Sequence, residues 1–228
     1  MRTTVLLSGG LDSAVLAARL HHDGHLVSAL SCDYGQRHRR ELAAAAAVAA
    51  SLGVSHRVIN LSGVAAAMDP DSSALLGSAA VPHGHYADDN MAVTVVPGRN
   101  LLMLAAAAAV ASSRGDEVVA IAAHAGDHPV YPDCRTEFLD AAQAAVALGT
   151  PTLDVVYPFA HFSKADIVAE GARLGVPFGL TWSCYEGGAV HCGRCGTCVE
   201  RAEAFAVAGV EDPTLYADSA YAREVTGR

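Results

Sequence analysis

Two clusters of residues in this chain have types and spacings suited to chemistry. The first is Ser8-Gly9-Gly10-Leu11-Asp12-Ser13. It follows the apolar, β-like run Thr3 to Leu7 and leads into the apolar helical run Ala14 to Leu20. A Gly-rich turn between a strand and a helix start gathers backbone N–H groups at the positive end of the helix dipole, which is a cradle for phosphate. Gly9 and Gly10 let the main chain approach an anion, and Ser8 and Ser13 add hydroxyl donors. The stretch lacks the Gly-Lys-Ser/Thr of the common phosphate loop. It also lacks the third Gly of the dinucleotide fingerprint. The simpler alternative is a Ser-Gly-Gly turn with Asp12 or Ser13 as helix cap.

The second cluster is Cys184, Cys192, Cys195 and Cys198. Three Cys at two-residue gaps, with Gly193 and Gly196 between them, form a tight knuckle that aims three thiolates at one point; Cys184 completes a tetrahedral set. Zinc there would be a closed, structural site that pins the C-terminal segment. Four Cys also suit an iron–sulfur cubane. His191 is an alternative fourth ligand, whereas Cys32 and Cys134 stand outside the cluster.

Composition narrows the partners. The net charge of −9, from 24 acidic and 15 basic residues, opposes a large nucleic-acid footprint. The short basic run Arg37 to Arg40 reads equally well as a solvated helix start. Neither a signal peptide nor an uninterrupted apolar run of about 18 residues is evident, so a cytoplasmic protein without a membrane partner is expected. With 11 His in the chain, His38 and His124 are weak candidates for acid–base work.

The elements that must position these residues alternate strand and helix. Strands are expected at 3–7, 26–31, 56–61, 118–122 and 153–157, with helices at 14–20, 38–51, 100–114 and 137–148. A further helix opens at Ser163-Lys164-Ala165-Asp166 with capping-box spacing. Residues 62–98 read as irregular. The pattern predicts an α/β fold, a doubly wound parallel sheet of about five strands, with a C-terminal zinc-binding helical segment. The expected division is a nucleotide-binding part at 1–175 and a zinc-binding segment at 176–228. Ligands bind such sheets at the C-terminal strand ends. Ser8 to Ser13, Asp33 to Gln36 and His124 to Arg135 all fall there.

Several segments together carry a family resemblance. They are Ser8 to Ser13, Tyr34-Gly-Gln-Arg-His38, Val96-Pro-Gly-Arg-Asn100, Tyr131-Pro-Asp-Cys-Arg135 with Glu137-Phe138, Thr181-Trp-Ser-Cys-Tyr185, the Cys knuckle, and Asp212-Pro-Thr-Leu-Tyr216. The chain resembles the QueC family of the ATP pyrophosphatase (PP-loop) superfamily from about residue 5 to residue 216. It departs from that pattern at Ala123 to Val130, where the family commonly carries Asp-Tyr-Ser-Gly.

The resemblance implies an ATP-dependent carbon–nitrogen ligase that converts 7-carboxy-7-deazaguanine and ammonia to the 7-cyano compound in queuosine biosynthesis. It implies ATP with Mg²⁺ as co-substrate, one structural Zn²⁺ per chain, and a homodimer. Free ammonia is the expected nitrogen source, because no glutaminase domain fits in the length. Leu7, Ser8, Gly9, Gly10, Leu11, Asp12, Ser13 and Asp33 would bind ATP, with Asp12 orienting the loop or helping to hold Mg²⁺. Arg99 would neutralise phosphate or carboxylate charge. Lys164 would make a second phosphate contact, or be a solvated lysine. Tyr34, Gln36, Asp133, Arg135 and Glu137 would meet the deazapurine, the acidic groups accepting from its guanine-like edge. Trp182 would stack on a heterocycle or pack in the core. Two alternatives within the superfamily are a thiolase-like tRNA-modifying enzyme with an iron–sulfur cluster and a relative that stops at the amide.

Overall fold

A computed structural model describes residues 1–37, 39–86 and 89–227 of the chain. His38, one of the acid–base candidates, lies outside the described residues. Five parallel strands form one sheet in the order β3-β2-β1-β4-β5. They are β1 (Arg2–Leu6), β2 (Leu26–Asp33), β3 (Ser55–Asn60), β4 (Val118–Ala120) and β5 (Asp154–Val156). The chain moves outward from β1 to β3, then returns to the other side of β1 for β4 and β5. The reversal falls between β1 and β4, where a crevice opens at the C-terminal strand ends. The central strand β1 is buried at four of its five positions, and β4 at all three. Such apolar continuity is what a strand covered on both faces requires.

The helices are α1 (Leu11–His22), α2 (Arg40–Ser51), the short α3 (Ser62–Ala65), α4 (Arg99–Ser113), α5 (Thr136–Gly149), α6 (Lys164–Arg173), α7 (Gly196–Ala208) and α8 (Tyr221–Thr226). One face of the sheet is covered by α1, α2, α6 and α7, whose Val15, Leu16, Val48, Ile167, Val168 and Phe205 share one buried cluster. The other is covered by α4 and α5 through Leu104, Ala107, Leu139 and Ala142. Ala residues let these helices pack closely while favouring helix formation. At Gly171 of α6 an added Cβ would stand 2.6 Å from Val15 and from Phe178, so only glycine allows that approach to α1. The expected capping box is present: Ser163 Oγ accepts from the Asp166 N–H, and the Asp166 carboxylate accepts from the Ser163 N–H.

The 62–98 stretch contains α3 and two 3-10 turns, at Pro70–Ser72 and Asp89–Thr94. Asn90–Ser113 is long and apolar enough to cross a membrane by length and composition alone. In the structure it is broken before Arg99, at Gly98, whose φ is 66°. The remaining 15 residues of α4 extend about 22 Å, short of a ~30 Å hydrocarbon core.

Candidate active site and thiolate cluster

The crevice between β1 and β4 is a cavity lined by the 8–13 loop, the ends of β2 and β4, the starts of α2, α4 and α6, and the 182–185 and 197–200 segments. Gly9 adopts φ of 92°, and a Cβ there would lie 2.1 Å from the Glu41 carbonyl oxygen and 2.8 Å from the Ala45 nitrogen. The loop is therefore pressed against the first turns of α2, a contact that only glycine permits. Ser8 and Ser13 close the turn. Ser13 Oγ donates to Gly10 O at 3.1 Å and lies 3.0 Å from Ser8 Oγ, which accepts from the Gly10 N–H at 3.1 Å. Gly10, whose backbone is extended, is the N-cap of α1 and makes no side-chain cap. The positive end of a helix thus opens toward the cavity.

Around Asp12 and Lys164 five charged or titratable groups converge from four elements. Lys164 Nζ lies 2.8 Å from Asp12 Oδ2 and 3.2 Å from Glu200 Oε2. His124, after β4, places Nε2 at 3.4 Å from Asp127 Oδ2 and 3.9 Å from Asp12 Oδ1. His124 Nδ1 accepts from the Gly126 N–H at 3.1 Å, and its Nε2 also lies 3.3 Å from Lys164 Nζ. Burial would raise the Asp12 pKa, but Lys164 and then His124 pull it below the ordinary carboxylate range. Burial lifts Glu200 above its usual value despite Lys164. Burial would lower Lys164, yet Asp12 and Glu200 outweigh it and keep the ammonium firmly protonated. Asp12 Oδ1 is a buried oxygen with no hydrogen-bond partner among the described residues.

A second group of polar side chains gathers around Arg99, the first residue of α4. Its guanidinium lies 6.0 Å from the Tyr34 ring centre and 5.7 Å from that of Tyr131. No carboxylate pairs with it among the described residues. Tyr131 Oη is 2.8 Å from Thr94 Oγ1 and 3.2 Å from Tyr185 Oη. Burial pushes the Tyr34 hydroxyl up to about 12. Tyr34, Tyr86, Tyr131 and Tyr185 make an aromatic wall beside a half-buried cation, a surface suited to a flat anionic ring.

The thiolate cluster abuts this cavity. The sulfurs of Cys184, Cys192, Cys195 and Cys198 all lie within 4.8 Å of one another. Cys192 Sγ and Cys198 Sγ are 3.9 Å apart. Four thiolates around one tetrahedral ion at about 2.3 Å stand roughly 3.8 Å apart, so the set fits one metal ion. A cubane spreads its four thiolates over four irons and needs a wider set. Backbone N–H groups of Arg194 and Cys195 donate to Cys192 Sγ at 3.3 and 3.2 Å, and that of Cys192 to Cys184 Sγ at 3.3 Å. Such donors offset thiolate charge around a metal.

Trp182 joins the two regions. Its backbone N–H donates to Gly9 O at 2.9 Å, and its indole N–H to Cys184 O at 2.8 Å. The indole stacks on His191 at 4.2 Å between ring centres and carries the Arg40 guanidinium at 4.9 Å. Buried Arg201 braces the same segment. It donates to Phe178 O, Thr181 Oγ1 and Ser183 Oγ while Asp212 pairs with it at 3.1 Å.

The expected residues divide clearly. Ser8, Gly10, Leu11, Asp12, Ser13, Leu7, Tyr34, Gln36, Arg99, Lys164 and Trp182 line the cavity. Gly9 shapes the loop from behind. Asp33 lies at the end of β2 but is committed to Arg39, at 3.0 Å, and to the Gly35 N–H. Asp133, Arg135 and Glu137 are not brought to the cavity. Pro132 starts a 3-10 turn that aims Asp133 at the N-terminus of α4, where it accepts from the Asn100 N–H at 3.1 Å. The exposed Arg135 donates to His128 O, and Glu137 is exposed in the first turn of α5. The cavity takes Cys134 from this turn instead. Glu41, Tyr86, Asp127, Tyr185 and Glu200 line it without having been singled out. Asp127 carried a positional signal, since it follows a strand end.

Fold and loop together define a nucleotide-binding α/β protein of the PP-loop class. By shape the chain is similar to the NMN synthetase of Francisella tularensis, with a TM-score of 0.53 at 16% identity over all of this chain and 84% of that one. It is also similar to a U34-tRNA thiolase of Methanococcus maripaludis that carries a [4Fe-4S] cluster, with a TM-score of 0.52 at 12% identity over 91% of this chain and 65% of that one. At these identities the likeness is one of fold. Sequence is more specific. The family model described as "Queuosine biosynthesis protein QueC" matches residues 2–209. A relative from Paracoccus denitrificans, named 7-cyano-7-deazaguanine synthase, is 53% identical over 98% of this chain and 97% of its own. One of the same name from Rhizobium meliloti is 53% identical over 100% of this chain and 97% of its own. The chain belongs to the QueC family of queuosine biosynthesis.

Proposed function

We propose that this chain makes 7-cyano-7-deazaguanine from 7-carboxy-7-deazaguanine, ammonia and ATP. A carboxylate is a poor electrophile because its leaving group would be oxide. Its oxygen attacks the α-phosphorus of ATP, pyrophosphate departs, and the acyl group then carries AMP as leaving group. Ammonia adds to that carbon, loses a proton and expels AMP, leaving the amide. The amide oxygen attacks a second ATP in the same way. Loss of AMP and of both N–H protons leaves the nitrile.

In this scheme the Ser8 to Ser13 loop holds the pyrophosphate, and Arg99 faces the carboxylate and its successors. Asp12 orients the loop, with carboxylate oxygens that suit Mg²⁺ brought in by ATP. Lys164 neutralises phosphate charge once the nucleotide competes with Asp12 and Glu200. Zn²⁺ suits the four thiolates and would fix the knuckle, and with it Trp182, against Gly9. The protein acts in the cytoplasm as a homodimer, which sedimentation tests. The observation that carries the reading is the 53% identity, across nearly the whole chain, to relatives bearing that enzyme name. The spacing of the thiolates favours it over the cluster-bearing tRNA enzyme. The test is mass spectrometry of purified, metal-loaded protein with the three substrates, run beside amide and nitrile standards. Nitrile and AMP are expected. Accumulation of amide alone assigns the chain to a relative that stops halfway, and absence of both products overturns the reading.

A further inference from the structure

Four carboxylates line the cavity: Asp12, Glu41, Asp127 and Glu200. Three are committed. Asp12 and Glu200 hold Lys164, and Asp127 accepts from Tyr86 Oη at 3.0 Å and faces His124. Glu41 has neither a hydrogen-bond partner nor an ion-pair partner for its carboxyl among the described residues. It stands in the first turn of α2, the turn whose backbone is pressed against Gly9. Burial lifts its pKa to about 7, against the pull of Arg99. A carboxyl group held at a cavity without donors is costly unless a ligand brings them.

The ligand proposed above brings a suitable set. The edge of a deazaguanine presents N1–H and the 2-amino N–H side by side, two donors for two carboxylate oxygens. Adenine presents a donor beside an acceptor, which an ionised carboxylate does not match. Asp133 is spent on the start of α4, and the Gln36 amide oxygen on the Tyr34 N–H at 2.9 Å. Arg99, which no carboxylate neutralises among the described residues, supplies the complementary charge for the carboxylate at the other side of the ring, and Tyr34 and Tyr131 flank it.

We propose that Glu41 is the residue that selects the base. Its two oxygens accept from N1–H and the 2-amino group of the deazapurine, while Arg99 faces the carboxyl undergoing activation. This rests on the reaction assigned above. The test compares 7-carboxy-7-deazaguanine with its 2-deamino analogue on the metal-loaded wild type and on Glu41→Gln. The wild type should show a KM on the order of 10-fold or more higher for the analogue, which lacks one of the two donors. Glu41→Gln should raise the KM for the full substrate by roughly 10- to 100-fold and lose most of the discrimination between the two. The KM for ATP should stay within about threefold. A conservative Glu41→Asp keeps the carboxylate and should retain discrimination.

Equal KM values for substrate and analogue on the wild type would overturn the proposal, whether or not the variants fold. So would a Glu41→Gln effect confined to ATP, which would mean that Glu41 reads adenine or braces the loop. A wild type that makes no nitrile from the full substrate fails at the earlier step, the assigned reaction itself.

Discussion

Replacing Lys164 by Met tests the electrostatics at the centre of the cavity. Met keeps most of the side-chain volume and removes the charge that Asp12 and Glu200 share at 2.8 and 3.2 Å. Removing one partner of a buried ion pair costs about 3–5 kcal/mol, because the partner left behind is a desolvated charge. Here the carboxylates keep 21 and 12% of their side-chain exposure, so the lower end, about 3 kcal/mol, applies. For a chain of this length that corresponds to roughly 6–12 °C in Tm. The loss must also depend on pH. In the wild type Asp12 has a lowered pKa, so its stabilising share is present above the unfolded carboxylate value and disappears only as pH falls through the folded value. In the variant burial is no longer offset by Lys164, so the pKa of the same carboxyl rises, and the folded variant takes up a proton more readily than the unfolded chain. The gap between wild type and variant should therefore be widest near pH 8 and narrow toward pH 6. Urea unfolding of both proteins at the two pH values, with metal content checked at each, reads it directly. A Tm change under about 2 °C, or an equal gap at both pH values, would refute Lys164 as the counter-ion of this cluster.

Gly9→Ala should destabilise by about 2–5 kcal/mol and abolish AMP formation, since its Cβ would meet backbone atoms of α2 that have no room to retreat; thermal melts and an AMP assay check both. Asp212→Asn should loosen the bracket formed by Arg201 and cost about 3 kcal/mol by urea unfolding, leaving a buried guanidinium short of its counter-charge. Chelation of the metal should shift the emission of Trp182, the single Trp of the chain, and weaken ATP binding by calorimetry in parallel, because one residue links knuckle and loop. The KM for the deazapurine should rise as pH drops below about 7, where Glu41 takes up a proton and stops accepting. Glu41→Gln should flatten that rise; Arg99 and Tyr34, which also face this group, stay protonated across the range.

The sheet was legible because buried parallel strands and the capping box at Ser163 announce themselves locally. Strand ends moved by one or two residues, as Leu7 and Ala122 lie just past the ends of β1 and β4 and line the cavity. The phosphate loop and the thiolates were legible because each is a contiguous or nearly contiguous pattern. The rest of the cavity is not local. Glu200 comes from the helix that begins at the Cys knuckle, Asp127 from beyond β4, and Glu41 from α2, and nothing in one dimension brings them together. Asp133, Arg135 and Glu137 stand away from the cavity for a related reason. The proline turn at 132 points Cys134 inward and spends Asp133 on capping α4, a direction that residue type alone does not carry.

The indole of Trp182 spans a joint between two kinds of order. The sheet and its helices draw on apolar cores, whereas the 184–198 knuckle is built around four thiolates whose spacing fits one metal ion. That knuckle also leads into Thr197 and Glu200, which form one side of the cavity. Were a metal ion to hold those thiolates together, a chain without it would keep its sheet and lose one wall of the cavity.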